Sequence, residues 1–327
     1  MMIHWRTFLR PRLRRWLEHY IYPAATDPKL TTYHVPASEW ASLPLVRIAA
    51  LQSSGELHRE DIDSQRKEVI ANAFSLLDMA AQHKADLALL PERFSIRGIA
   101  LSKEQAWEWA QVEGDTLFQR LADTARCKQM SIIAPVPERR GTRLFNVAWI
   151  FSRQGDFLGR YCKVHLTQVE RERGYTPGDS WPVFDMGFAH MGVMICHDNS
   201  FPESARCLML NGAQLLCWPH NQSGWGDVAW ESILRARAID NDVYMVSACC
   251  GTPANRAWSP GMVVGRSSIV APDGSWLADA GRGVGLAVAA ISLNTPRWIN
   301  DFSAGGIEDY RNTVLAERRV DTYRVLV

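Results

Sequence analysis

The sequence predicts an α/β fold in which strands and helices alternate along the chain. A strand is expected at residues 45–52, a helix with apolar side chains about every 3.6 residues at 63–83, and a second strand at 86–90. Short connections between elements in this order are typical of a sheet covered by helices. Apolar residues make up 47% of the 327 residues, which is enough for one large or two ordinary domains.

The same alternation continues after residue 100. The apolar runs, caps and turn residues predict the following elements in order: helices at 103–113 and 116–128, strands at 130–136 and 145–152 around a charged hairpin at 138–143, a strand at 157–161, a polar loop at 167–179, strands at 183–186 and 191–195, a helix at 204–211, a strand at 215–219, a helix at 228–241, and strands at 244–249, 267–271, 276–280 and 285–291. Residues 27–44 hold several prolines without a sustained period and are interpreted as a linker or surface arm. We therefore divide the chain into an extension and linker at 1–44, a folded body at 45–292, and a tail at 293–327 that is a candidate oligomer contact.

Charge and composition exclude several classes of function. A net charge of +1 argues against a nucleic-acid partner, and no apolar run is long enough for a transmembrane helix. The seven cysteines form an odd set without the spacing of a disulfide framework, so we expect a cytoplasmic protein. Neither the Cys-x-x-His at 162–165 nor the Cys-Cys pair at 249–250 has a second half at ligand spacing, so neither a metal nor a cofactor is expected.

The N-terminus is the one strongly biased segment. Residues 1–22 carry five Arg and one Glu, interleaved with aromatic residues. Peripheral contact with a membrane surface, a docking segment and a targeting peptide are all compatible with this pattern. We favour an extension that packs on a neighbouring subunit, or a start codon placed too far upstream.

The candidate chemistry centres on Cys196, which follows the apolar run at 191–195. Ligands and reactive groups of open α/β sheets gather outside the strand ends. Two other polar side chains also follow predicted strands, Glu92 after 86–90 and Lys163 after 157–161. A nucleophilic thiol needs a proton acceptor and a cation that lowers its pKa and stabilises an oxyanion, and these residue types supply them.

These residues stand in motifs that resemble those of the nitrilase, or carbon–nitrogen hydrolase, superfamily. Leu-Pro-Glu at 90–92, Tyr-Cys-Lys-Val-His-Leu at 161–166 and Gly-Val-Met-Ile-Cys-His-Asp at 192–198 appear in the family's order. Thr-Pro-Gly-Asp at 176–179, Phe-Pro-Glu-Ser-Ala-Arg at 201–206 and Arg-Ala-Arg-Ala-Ile-Asp-Asn at 235–241 are similar to further family landmarks. The resemblance covers about residues 45–291. Each motif alone is weak, whereas the ordered set is specific.

The resemblance implies both a fold and a mechanism. The fold is an α-β-β-α sandwich with four layers per subunit, whose sheets pack across a homodimer to give eight layers, often within a larger homo-oligomer. The mechanism is attack of Cys196 on an amide or ureido carbon, with Glu92 as general base and acid and Lys163 beside the oxyanion. A thioester forms and water then releases the acid.

The resemblance also implies supporting residues. The family often adds a second glutamate after the lysine, for which we favour Glu170 with Glu172 as the alternative. The backbone N–H of His197 is the expected second oxyanion donor, and His165 is expected to orient the lysine loop. A Cys-His dyad is disfavoured, because neighbours on an extended chain point to opposite faces. His220 and Asn221 are expected at the pocket wall, where they either contact substrate or only close a turn.

The residues after Cys196 bear on the substrate. His197 and Asp198 replace the Trp-Glu that is typical of true nitrilases, which makes a nitrile the weaker option. Asn199 and Ser200 stand where related carbamoylases carry arginines that bind a carboxylate, and Asn199 is kept as a candidate substrate-binding residue. A neutral or cationic amide, or an N-carbamoyl amine, therefore fits best. Acyl transfer from the thioester to an amine and a catalytically silent regulator remain as alternatives.

Overall fold

Strands follow one another at short intervals along the chain. The computed structural model describes residues 29–33, 44–54, 61–96, 101–221, 227–251, 266–293, 298–300 and 307–324. In these ranges the strands are β1 (Lys29–Tyr33), β2 (Val46–Ser54), β3 (Leu87–Leu89), β4 (Ser131–Arg140), β5 (Arg143–Phe151), β6 (Phe157–Cys162), β7 (Val183–Asp185), β8 (His190–Val193), β9 (Leu215–Pro219), β10 (Tyr244–Ala248), β11 (Cys250–Gly251), β12 (Ser268–Val270), β13 (Trp276–Asp279), β14 (Gly285–Ile291), β15 (Trp298–Asn300) and β16 (Ile307–Asp309).

Several helices follow a residue whose side chain accepts hydrogen bonds from the free N–H groups of the first turn. Asp61, Asp115 and Thr167 each accept hydrogen bonds from the backbone of the helix that follows them. In chain order the described helices are α1 (Ile62–Gln82), α2 (Lys103–Glu108), α3 (Thr116–Lys128), α4 (Gln168–Glu172), α5 (Pro202–Leu210), α6 (Asp227–Asn241) and α7 (Tyr310–Ala316), with short 3₁₀ turns at Phe94–Ile96, Cys196–Ser200 and Val320–Thr322.

Two main sheets form the centre of the fold. The first has the order β1-β14-β2-β3-β4-β5-β6, with β11 also paired to β2, and the second has the order β13-β12-β10-β9-β8-β7. The strands β2, β3 and β4 are parallel, and so are β8, β9 and β10. The hairpins from β4 to β5 and from β5 to β6 are antiparallel. The carboxyl ends of β3, β4 and β6 therefore lie at the same edge of the first sheet.

The fold has four layers, and an apolar cluster fills each of the three interfaces between them. Helices α1 and α3 cover the first sheet, with Leu77 and Leu121 packed in one cluster with Trp149. The two sheets face each other through side chains such as Ile48, Leu89 and Ile150 from the first and Val193 and Val246 from the second. Helices α5 and α6 cover the second sheet through side chains that include Leu208 and Leu234. This is the predicted α-β-β-α order within one chain.

The structure differs from the sequence predictions in four places. The expected linker contains β1, which pairs in parallel with β14. The expected polar loop at 167–179 contains α4, because Thr167 and Glu170 form a capping box. The charged hairpin at 138–143 is mostly strand with a turn at 141–142, and α2 ends at Glu108 rather than residue 113. The basic segment 1–22 lies outside the described residues, as do 294–297, 301–306 and 325–327 of the predicted tail.

Candidate active site

Glu92 and Lys163 meet at one edge of the first sheet. Glu92 lies three residues beyond β3, and Lys163 directly follows β6. The Lys163 Nζ atom lies 3.1 Å from Glu92 Oε1, and both side chains are almost completely buried. Charged side chains are rarely buried without a partner, so this ion pair accounts for the burial of both groups.

The second glutamate in this cluster is Glu170. Helix α4 directs its carboxylate to Lys163, with 2.9 Å from Nζ to Oε1 and 2.8 Å to Oε2. The same carboxylate accepts from the backbone N–H and hydroxyl of Thr167. Glu172 is on the exposed side of α4, where it accepts from Gln168. The structure thus brings Glu170 to the lysine and leaves Glu172 outside.

Asn146 on β5 joins the two glutamates, and sequence reasoning missed it. Its Nδ2 atom donates to Glu92 Oε1 at 2.8 Å and to Glu170 Oε1 at 2.7 Å, and its backbone oxygen accepts from Lys163 N–H at 2.9 Å. The side chain is fully buried. The available signal was a lone amide within the apolar run of β5, since Asn is depleted from strands.

Arg93 is a second cation in this cluster, and it was not identified from the sequence. It follows Glu92 with a left-handed φ of 49°, uncommon for a residue other than Gly, and its guanidinium hydrogen bonds with the Tyr175 side chain. Although burial lowers the pKa of Arg93, the nearby charges of Glu92 and Glu170 and the Tyr175 phenol raise it above its ordinary value. The cluster therefore contains two carboxylates and two cations.

Cys196 begins a 3₁₀ turn just beyond β8 and takes a φ of 48°. Such a conformation persists in a residue other than Gly only where its surroundings hold it. Here the Cys196 carbonyl accepts from Trp218 Nε1 at 2.9 Å, and the backbone N–H of Asn221 donates to the thiol. These contacts fix the thiol at the carboxyl end of a parallel strand of the second sheet.

The electrostatics of the cluster define its resting protonation. Burial, followed by the charge of Glu92, raises the pKa of the Cys196 thiol to about 12, although Lys163 and the Asn221 N–H oppose this. Burial would raise the pKa of Glu92, but Lys163, Arg93 and the hydrogen bonds from Lys163 and Asn146 together lower it to about 2. Burial lowers the pKa of Lys163 less than Glu92, Cys196 and Glu170 raise it. The resting site thus has a neutral thiol, a Glu92 carboxylate and a Lys163 ammonium.

Asp198 ties the cysteine turn to the lysine loop. Its buried carboxylate accepts from Ile195 N–H at 2.8 Å, from His165 N–H at 2.8 Å and from the Tyr161 hydroxyl at 2.7 Å. The His165 Nδ1 atom lies 3.0 Å from the same carboxylate, and the His165 ring stacks on Phe201 at 4.0 Å. Ile195 precedes Cys196, so the carboxylate couples the positions of the thiol and the lysine.

The remaining predicted residues have different surroundings. His197 Nδ1 lies 3.2 Å from Ser200 Oγ, and the His197 and Phe201 rings are nearly perpendicular with their centroids 5.2 Å apart. The pKa of His197 is lowered, mainly by burial. Asn199 is fully buried, and no hydrogen-bond partner lies near its side-chain oxygen or nitrogen. The substrate contact expected of Asn199 stays a prediction. His220 is also buried, between Trp218 and Ser247 Oγ.

Gly178 explains one part of the Thr-Pro-Gly-Asp motif. Its N–H donates to the Lys163 carbonyl at 2.8 Å, and a Cβ at this position would lie 2.1 Å from the Cys162 carbonyl oxygen. Only a glycine allows the two backbone segments to approach this closely. The motif therefore holds the lysine segment in place from its outer side.

Among the described residues, no three His, Cys, Asp or Glu side chains gather as a group that could hold a metal ion. Every helix in the part of the chain that the structure describes is too short or too polar to span a bilayer. All seven cysteines lie in the described ranges, and none of them forms a disulfide.

Sequence comparison relates the chain to enzymes of one family. The sequence profile described as carbon-nitrogen hydrolase matches residues 47–298. Omega-amidase NIT2 of Homo sapiens is 30% identical over 243 residues, which cover 71% of this chain and 86% of that protein. A nitrilase of Pyrococcus abyssi is 32% identical over 289 residues, which cover 85% of this chain and 99% of that protein.

Solved structures of other proteins share the fold of this chain. An amidase mutant from Nesterenkonia sp. AN1, with the acetamide moiety of fluoroacetamide added covalently at its active-site cysteine, aligns with a TM-score of 0.69 at 24% identity, covering 87% of this chain and 99% of that chain. Nit3 of Saccharomyces cerevisiae, a member of the nitrilase superfamily, aligns with a TM-score of 0.64 at 25% identity, covering 76% and 90% of the two chains.

Proposed function

The chain belongs to the carbon–nitrogen hydrolase family of the nitrilase superfamily, and on that premise we propose that it hydrolyses the C–N bond of an amide or N-carbamoyl amine through a thioester on Cys196. The observation that carries this proposal is the buried cluster in which Lys163 contacts both Glu92 and Glu170 beside the thiol. The burial of three charged groups, two of them just beyond strands of the first sheet and one on α4, has a cost that a merely structural role would not explain.

Acylation begins from the neutral thiol and the Glu92 carboxylate. Glu92 takes the thiol proton as sulfur bonds to the carbonyl carbon, so the thiolate never has to exist free against a pKa of about 12. The tetrahedral oxyanion is stabilised by the Lys163 ammonium and the His197 backbone N–H, and each such donor is typically worth about 3 kcal/mol. The C–N bond then breaks as Glu92 returns the proton to the leaving ammonia or amine.

Deacylation uses the same groups in reverse. A water molecule enters, Glu92 removes one of its protons, and the hydroxide oxygen bonds to the thioester carbon. Collapse of the second oxyanion breaks the C–S bond, and the proton held by Glu92 restores the Cys196 thiol. Glu170 contacts Lys163 rather than the sulfur, so its proposed role is to hold the ammonium in place throughout.

The substrate that fits best is a small amide. The relatives support this choice, since one is named an omega-amidase and structural neighbours include an amidase in complex with butyramide. No arginine stands at positions 199 and 200 to bind a substrate carboxylate. Nitrile hydrolysis is the second candidate, because the Pyrococcus abyssi relative is named a nitrilase. Acyl transfer to an amine would use the same thioester.

We also propose domain limits, an oligomeric state and a location for the enzyme. We infer a hydrolase domain at residues 45–292, with 1–44 as an extension and 293–327 as a tail that contacts a neighbouring subunit. A homodimer with sheets packed across it, or a larger homo-oligomer, follows from the family resemblance. The absence of disulfides among the seven cysteines, all of which the structure describes, is compatible with a cytoplasmic enzyme.

Ammonia release from a panel of amides, nitriles and N-carbamoyl amines tests the function, with Cys196→Ala as the matched variant. We expect release from at least one amide or N-carbamoyl amine and its loss in Cys196→Ala. Cys217→Ala is a suitable control, because this buried cysteine lies in the core between the sheets. Equal activity of the wild type and Cys196→Ala, or turnover of nitriles alone, would overturn the proposal.

A further inference from the structure

We propose that Asn146 is a positioning residue that holds Glu92 and Glu170 as a pair of carboxylates and makes Glu92 a better proton donor once it has been protonated. This inference rests on the proposed role of Glu92 in the reaction. Asn146 contributes no atom to the substrate's bonds. It acts through the two glutamates.

The geometry fixes the orientation of the Asn146 amide. An Asn side chain has two N–H donors and one oxygen acceptor, and here each donor has a carboxylate partner, at 2.8 Å and 2.7 Å. The amide oxygen is buried without a hydrogen-bond partner. A flipped amide would place that oxygen against two carboxylate oxygens, so the observed orientation is kept although it leaves the oxygen unsatisfied.

The position of Asn146 explains why this residue reaches both groups. It pairs with Pro137 near the start of β5, at the same sheet edge as the carboxyl end of β6. Its backbone oxygen also accepts from the Lys163 N–H. A single residue thereby contacts Glu92, Lys163 and Glu170.

Several charged or titratable groups act on Glu92 from the elements around it. They are Lys163 after β6, Glu170 on α4, the adjacent Arg93, and Cys196 after β8. Lys163 and Arg93 favour the carboxylate, as does the Asn146 hydrogen bond, whereas burial opposes it. Asn146 is the neutral member of this set, so it stabilises both anions without adding a charge.

This contact has different strengths at the two stages of the reaction. A hydrogen bond to a carboxylate is about twice as strong as one to a neutral acceptor. The Asn146–Glu92 bond therefore weakens when Glu92 accepts the thiol proton and strengthens when Glu92 releases it. The contact opposes proton uptake by Glu92 and favours proton transfer from Glu92 to the leaving amine. This proton transfer makes acylation irreversible once ammonia departs.

The test is the pH dependence of Cys196 alkylation by iodoacetamide, followed by peptide mass mapping in the full-length protein. This measurement needs no substrate, so it separates failure of this inference from failure of the proposed amidase activity. Protonation of Glu92 removes the base for the thiol and gives the alkylation rate an acid limb. We expect Asn146→Leu to move that limb upward by about one pH unit, and Asn146→Asp, which adds a like charge, to move it by about two or more.

Val147→Ala is the matched control, because Val147 is the next residue on β5 and faces the helix-covered side of the sheet. We expect Val147→Ala to leave the acid limb at the wild-type pH. Asn146→Ser, which keeps one donor, provides a milder change with a smaller upward shift if the other variants do not fold. Profiles of the folded Asn146 variants that superimpose on the wild type would overturn the inference, as would a downward shift.

Discussion

Replacement of Asp198 by Asn tests how strongly the cysteine turn and the lysine loop depend on one buried carboxylate. The change keeps the size of the side chain but leaves one oxygen where there were two. Asp198 accepts from two backbone N–H groups, of Ile195 and His165, and from the Tyr161 hydroxyl. In either orientation of the new amide, its NH₂ group must therefore face donors that one carboxylate oxygen of Asp198 accepts from.

The contacts of the two carboxylate oxygens indicate which hydrogen bonds are lost. The Tyr161 hydroxyl and Ile195 N–H share Oδ2, whereas His165 presents its N–H and a ring nitrogen to Oδ1. The His165 ring is partly exposed and can change tautomer, so the NH₂ group is expected at Oδ1, where the His165 N–H loses its acceptor. One unsatisfied backbone donor and the loss of charge-assisted bonds amount to about 2–4 kcal/mol.

Urea denaturation monitored by tryptophan fluorescence measures this loss, and the alkylation rate of Cys196 measures its effect on the site. We expect Asp198→Asn to lower the free energy of unfolding by about 2–4 kcal/mol and to slow alkylation, because His165 lies two residues from Lys163. Asp185→Asn is the control, since Asp185 is exposed and accepts one hydrogen bond from Gly187 N–H. The reasoning is refuted if Asp198→Asn is as stable as Asp185→Asn.

Three further predictions follow from the same contacts. Glu170→Gln should reduce kcat/KM for the identified substrate by about 10²-fold, because Lys163 loses a charged partner, whereas Glu172→Gln should leave it within about twofold; equal effects would contradict the assignment of Glu170. The pKa of Glu92 is lowered from 4.5 to about 2, so its carboxylate stabilises the fold above pH 4.5, and about 3 kcal/mol of unfolding free energy should be lost as the pH falls from 4.5 to 2. Denaturation curves of the wild type and Glu92→Gln across this range test the sign, since the variant should lose less. Removal of residues 1–28, which ends just before β1, should leave ammonia release within about twofold of the full chain. Light scattering measures any change of assembly, and loss of soluble protein would show that the fold depends on residues 1–28.

Strong periodic patterns predicted most of the fold. The helix at 116–128 and the strands at 215–219 and 285–291 agree with α3, β9 and β14 because caps or turn residues bound each apolar run. The strand β1 was not predicted, because its pairing with β14 depends on a partner more than 200 residues away. Helix α4 was missed because its short, charged sequence has no apolar stripe and depends on its cap.

The candidate site was predictable where residues stand at strand ends in family motifs. Glu92, Lys163 and Cys196 are of this kind. Asn146 and Asp198 were not identified as site residues, because their importance lies in hydrogen bonds to groups that are distant in sequence. Asn199, three residues after Cys196, is fully buried, and the substrate contact expected of it stays a prediction. The position of a residue at a strand end predicts that it lies near the edge of the sheet. Its hydrogen-bond partners depend on how strands that are distant in sequence pair.

The formation of an acyl-enzyme on Cys196 tests the central claim most directly. The protein is mixed with a substrate amide, quenched in acid within the first turnover and examined by intact mass and peptide mapping. A thioester predicts a mass gain equal to the amide minus ammonia on the peptide that contains Cys196, and none in Cys196→Ala. Full turnover without an adduct in the wild type, or an adduct on another cysteine with activity retained in Cys196→Ala, would contradict the mechanism.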